Sequence, residues 1–213
     1  MTAKFDAQRV DEFMRRGYAD HDEAHNYEHA QHVLENAVMI ATKEGIDTTA
    51  HQNLITLIML GHDLRDHKVV DMGRGLSEAE IRQFYTDMVG KDNAEMILHI
   101  HNNCSWSKRK TSIPLESDDW MRQLLQDADW IEAIGNVGIR RCIDYQHAAI
   151  PDLTDTDCKK YVCAHIREKL LLIPDELNFD ATRELVDKME LIKPLFEYLE
   201  QFENPFMLNT RNF

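Results

Sequence analysis

Three short segments place imidazole and carboxylate groups at spacings that can do chemistry. In HNYEHAQH, His25, His29 and His32 follow one another at intervals of four and three, which puts them on approximately one side of a helix where they can line a pocket. His32 sits deepest among core-like residues, so packing is the simpler role for it. In GHDLRDHK, an apolar stretch runs straight into His62, Asp63, Asp66 and His67. Burial of such groups must be offset by hydrogen bonding, pairing or a metal. Imidazole and carboxylate donors suit Mn, Fe, Co, Ni or Zn, and less well Mg. In LLQDADWIEAIG, Asp127 and Asp129 are two apart and cannot share a helical direction. Leu125, Ala128 and Glu132 bracket Asp129 at spacings that favour it as the inward-facing carboxylate, with Asp127 left to a cap, a cation or solvent.

The elements that must hold these groups read as helices. Apolar residues recur at three- and four-residue steps over Phe5 to Arg16, with Gly17 as a stop, and over about Ala24 to Thr42, through Ala30, Val33, Leu34, Ala37, Val38 and Ala41. Gln52 to Leu64 is apolar enough for a helix buried on more than one side. A buried strand is the alternative, but continuation into the polar HDLRDHK favours the helix. DMGRG breaks the pattern, and Ser77 with Glu80 three residues later is a capping-box signature. A helix is expected over Asp92 to Ile100, then a polar loop through NNCSWSKRKTSIP. Asp118 or Asp119 caps a helix through Met121, Leu124, Leu125, Ala128, Ile131 and Ile134. Further helices are expected around Ile139 to His147, Cys158 to Leu172 and Ala181 to Phe202. Two-residue alternation is rare, and no glycine-rich phosphate loop follows a strand. The expectation is one all-α domain over residues 1–213.

Composition narrows the function classes. A chain of 213 residues can bury its own core without disulfides or a structural metal. Cys104, Cys142, Cys158 and Cys163 lack a paired-cysteine motif and read as scattered reduced thiols. The start, MTAKFDAQRVDEF, develops no signal-peptide hydrophobic region, and the longest apolar runs are too short to cross a bilayer. A soluble, cytoplasmic protein is expected, with a homodimer compatible. Lys and Arg total 24 against 38 Asp and Glu, a net charge of −14, which disfavours a broad nucleic-acid surface. Trp106, Trp120 and Trp130 form no stacking strip.

The order His29, His62-Asp63, Asp129 resembles the HD-domain metal-dependent phosphohydrolase superfamily. HNYEHAQHVLENA, LGHDLRDHK, QDADWIEAIGNVGIRR and HIREKL are similar to the stand-alone bacterial-type HD hydrolases that open on DxxHxxxHxxxV, here Asp22, His25 and His29; the likeness is strongest over residues 20–172. It implies an HD-domain helical bundle, completed by the C-terminal helices, with one divalent metal ion held by His29, His62, Asp63 and Asp129. The chain departs from the pattern at Trp130 and Glu132, where relatives commonly carry Arg or Lys and then Asp. It departs again at HIHNNCSWS, which stands for an HHSFS-like segment and keeps His99, Ser105 and Ser107. Two further histidines hold a second metal in some HD proteins, but His99 and His101 are two apart and diverge on a helix.

Roles follow for single residues, that of Asp66 from the resemblance and the others from their own chemistry. Water is the nucleophile, and Asp66 orients or deprotonates it, as the acid of an HDxxE/D arrangement does; a salt bridge to Arg65 or Lys68 is its structural alternative. His25 is the second catalytic candidate, bonding a phosphate or leaving group. His67, Lys68, His99, His101 and Lys169 are the candidate substrate contacts. Arg140 and the Lys108, Arg109, Lys110 run are weaker candidates, since charge runs are usually solvated. The implied substrate is a small phosphorylated molecule, a nucleotide, with nucleoside triphosphate pyrophosphohydrolysis ahead of monophosphatase or phosphodiesterase chemistry. A metal-binding or ligand-sensing protein without turnover is the alternative of a different class.

Overall fold

The structure is a computed structural model and describes residues 5–22, 25–65, 74–115 and 119–203. Among them are eleven α-helices and no strand. In chain order these are α1 (Ala7–Gly17), α2 (Tyr27–Glu44), α3 (Gln52–Gly61), α4 (Glu78–Val89), α5 (Lys91–Asn103), α6 (Asp119–Glu132), α7 (Gly135–Ala149), α8 (Asp155–Glu168), α9 (Ile173–Glu176), α10 (Asp180–Lys188) and α11 (Lys193–Glu203). Short 3-10 turns cover Thr49–His51, Trp106–Lys108 and Leu170–Leu172. No described helix is long and apolar enough to cross a membrane, and all four cysteines are free thiols.

Helix ends follow the side chains that cap them. Asp6 accepts the Arg9 N–H at 3.1 Å to start α1, and Arg15 and Arg16 occupy its last turn, where the helix dipole favours cations. Asn26 accepts the His29 N–H at 2.9 Å to start α2. Ser77 and Glu80 close the expected capping box before α4. Asp119 accepts the Leu115 N–H at 3.1 Å at the head of α6, and Arg122 grips both its oxygens at 2.7 and 2.8 Å. The Arg122 bonds, opposed by partial burial, hold the Asp119 carboxyl below its usual range.

Two compact units are distinguished, Met1–Ala128 and Asp129–Phe213, and the division falls inside α6. In the first, α3 lies in the core, with Ile55, Leu57, Ile58, Met59 and Leu60 all buried. This is the helix buried on more than one side that its apolar density predicts. It packs against α2, whose Ala30, Val33, Ala37, Ile40 and Ala41 are buried, and against α5. In the second unit, α7, α8 and α11 pack together, and Val162, Ile166 and Leu195 are almost wholly enclosed.

Two expected elements divide: the helix expected over Cys158 to Leu172 ends as α8 at Glu168, and Leu170–Leu172 is a 3-10 turn. The helix expected over Ala181 to Phe202 is two, α10 and α11, with a turn over Met189 to Ile192 and Glu190 at φ +50°. Pro194 explains the break: it has no N–H to give the Glu190 carbonyl, and its ring would clash with that carbonyl in a continuous helix.

Candidate metal centre

The first donor lies on the opening turn of α2. The Asn26 cap fixes the backbone of His29, whose side chain is 4% exposed. Just upstream, Asp22 accepts both the His25 N–H at 3.0 Å and the ring Nδ1 at 2.7 Å. The carboxylate holds the His25 ring by Nδ1, and Nε2 is the nitrogen left to meet a ligand.

His62 and Asp63, the next two residues expected to hold the metal, lie in the turn that follows α3. His62 Nδ1 donates to the Met59 carbonyl at 2.8 Å, which leaves Nε2 as the nitrogen that faces Asp63. That Nε2 lies 3.3 Å from Asp63 Oδ2, and His29 Nε2 lies 3.9 Å from the same oxygen. The two rings meet edge to face at 5.3 Å. Burial pushes the Asp63 carboxyl up, but attraction and hydrogen bonding from His62, with His29 and His25 behind it, overcome this and hold it well below the usual carboxylate range. Its side chain is 24% exposed against 3% for His62, so the carboxylate reaches outward from two enclosed imidazoles.

Asp129 completes the set. It sits on the last turn of α6, carried there by the helix that Asp119 and Arg122 anchor, and donor atoms of His29, His62 and Asp129 all lie within 4.8 Å of one another. Among the described residues these three form the cluster able to hold a metal. The donors fit a divalent ion: atoms about 2.1 Å from a shared metal stand about 3 to 4.2 Å from each other, the range of the His62–Asp63 and His29–Asp63 distances. Two imidazole nitrogens with carboxylate oxygens suit a transition metal better than Mg.

The neighbours of Asp129 are more enclosed than their types imply. Asp127 is 0% exposed, so the carboxylate expected at a cap, a cation or solvent is fully inside the protein. Trp130 is 2% exposed; its indole is a core group.

His101 lies within electrostatic reach of His62 and Asp63. His99 Nε2 donates to the Ile113 carbonyl at 2.8 Å, and His101 Nε2 donates to the Ile58 carbonyl at 2.9 Å. Burial pushes His101 down to about 4, so it is neutral at pH 7. Lys169 follows α8 in the second unit; its charge opposes the burial that pushes the Cys142 thiol up to about 11 and adds to the burial that pushes His165 down. His32 is exposed on α2. Asp66, His67 and Lys68 lie outside the described residues. Sequence reasoning missed Tyr18 and His21, which bond to the backbone of Asp63. Their one signal is an aromatic residue and a histidine three apart directly after the glycine that ends α1.

No protein-family model matches the chain. YpgQ of Bacillus subtilis (strain 168) is 30% identical over 202 residues, 92% of each chain. The crystal structure of YpgQ in complex with ADP superposes with a TM-score of 0.67 at 29% identity, covering 92% of this chain and 97% of that one. An HD-superfamily hydrolase of Bacillus thuringiensis gives a TM-score of 0.65 at 21% identity, over 96% of this chain and 97% of its own, a likeness of fold. With its His, His, Asp cluster on an HD-superfamily-like helical fold, the chain belongs to the family of YpgQ.

Proposed function

We propose that the protein is a metal-dependent phosphohydrolase of nucleotides, and that its reaction is hydrolysis of a nucleoside triphosphate to the monophosphate and pyrophosphate. The observation that carries this reading is the donor set itself: Nε2 of His29 and His62 turned to Asp63, with Asp129 beside them. The ADP bound to YpgQ supports a nucleotide as the ligand. His29, His62, Asp63 and Asp129 would hold a divalent ion, which would supply Lewis acidity toward water and neutralise charge on phosphoryl oxygens.

The remaining work falls to the chain's own groups. Water attacks the α-phosphorus, the bond from that phosphorus to the bridging oxygen breaks, and pyrophosphate leaves. Asp66 takes the proton of the attacking water. His25, held at Nδ1 by Asp22, presents Nε2 to a phosphate oxygen or to the leaving group. His67, Lys68 and Lys169 supply positive charge that a chain of net −14 otherwise lacks for an anionic substrate. His99 and His101 reach substrate only through Nδ1, because each Nε2 is engaged by a backbone carbonyl.

The test is product analysis. Apo protein is reconstituted separately with Mn, Fe, Co, Ni, Zn and Mg and given nucleoside tri-, di- and monophosphates. Monophosphate with pyrophosphate is the expected outcome. Inorganic phosphate with free nucleoside moves the reaction to a monophosphatase, and binding without turnover under every metal overturns the hydrolase reading in favour of a ligand sensor.

A further inference from the structure

Asp63 stands in the turn after α3, where the helix no longer supplies partners for its N–H and its carbonyl. Both are taken by one short segment at the end of α1. The Tyr18 hydroxyl accepts the Asp63 N–H at 3.3 Å and donates to the Leu60 carbonyl at 2.9 Å. His21 Nε2 donates to the Asp63 carbonyl at 2.9 Å. The fork is preformed: the His21 N–H donates to the Tyr18 carbonyl at 3.1 Å, and the two rings meet edge to face at 4.8 Å. His21 Nδ1 is buried and has no hydrogen-bond partner among the described residues, so the ring is held through the Nε2–H that the Asp63 carbonyl accepts. Tyr18 is 4% exposed, which shields its bonds from competing water.

We propose that Tyr18 and His21 are positioning residues for the metal centre, a clamp that fixes the peptide groups on both sides of Asp63 and so aims its carboxylate at Nε2 of His29 and His62. The inference rests on the reading of Asp63 as a metal ligand. Tyr18 acts on the bond donated by Asp63 and His21 on the bond accepted by it, so the carboxylate keeps only its own side-chain torsions as freedom. A residue that merely capped α3 would satisfy the Leu60 carbonyl and leave coordination unaffected.

The test is titration of the apo protein with Co(II), read by visible absorption alongside thermal unfolding. Wild type should bind one ion with ligand-field bands, and His62→Ala should abolish them. Tyr18→Phe, which keeps the ring on His21 and adds no volume, and His21→Leu should each weaken Co(II) binding at least about tenfold and change the bands. His21→Gln, which keeps an N–H donor, should recover most of the affinity. Wild-type affinity and bands in Tyr18→Phe overturn the clamp, even if that variant melts lower, and so does a Gln variant as weak as the Leu variant. Absence of bands from wild type, or their survival in His62→Ala, instead overturns the metal-site reading beneath it.

Discussion

The Nδ1–H of His62 donates to the Met59 carbonyl at 2.8 Å, and this bond turns the opposite nitrogen to within 3.3 Å of Asp63 Oδ2. The helix end thereby orients the ring of a candidate metal ligand. His62→Ala is expected to abolish Mn(II) binding and, with it, hydrolysis, while the protein stays folded by circular dichroism. Calorimetric titration with Mn(II) checks this, and unchanged affinity would remove His62 from the centre.

Asp22 fixes His25 by the same logic with a charged acceptor. Asp22→Asn still offers an oxygen to the His25 N–H but no longer favours a proton at Nδ1. Turnover is expected to fall about a hundredfold, the scale of general acid-base catalysis, with Mn(II) affinity kept within about threefold. Initial rates and a metal titration on the same preparation separate the two effects.

Gly61, the residue before the His-Asp doublet, makes room for a buried tyrosine. A Cβ placed there would overlap the Tyr85 hydroxyl and crowd His101 Cε1. Gly61→Ala should destabilise the protein by about 1–3 kcal/mol through overpacking, measured by urea unfolding. The Tyr85 hydroxyl is buried without a hydrogen-bond partner among the described residues, so Tyr85→Phe costs little and should relieve part of the Gly61→Ala penalty. Additive effects of the two substitutions would contradict the contact.

Burial pushes His101 from 6.5 down to about 4. Below pH 6.5 the unfolded chain takes up a proton that the folded protein refuses, so stability falls as pH drops from about 6.5 to about 4, by about 3 kcal/mol in all. Asp63, held low, adds its own loss only below the ordinary carboxylate range. Urea unfolding between pH 7.5 and 4.5 should show the decline in wild type and a flatter profile in His101→Gln. Parallel profiles would place the acid sensitivity elsewhere.

What the sequence discloses depends on how local the signal is. His29 and the His62-Asp63 doublet are legible because helical spacing and an abrupt polar end to an apolar run are properties of neighbouring residues. The same holds for the Ser77–Glu80 box. Asp129 is separable from Asp127 by direction, but the complete burial of Asp127 is not visible in spacing. The split between α10 and α11 was available in Pro194 and was masked by continuous apolar periodicity around it. The bonds from Tyr18 and His21 to Asp63 cross 45 and 42 positions, and no local pattern encodes them. His99 and His101 show the same limit: residue type marks them as able to bind phosphate, while the fold gives each Nε2 to a carbonyl 14 or 43 positions away.

The most direct measurement is anomalous scattering from a crystal of the protein soaked in Mn(II). The account predicts one peak per chain, about 2.0–2.3 Å from the side chains of His29, His62, Asp63 and Asp129. No peak at these residues, or a second one held by His99 or His101, would contradict it.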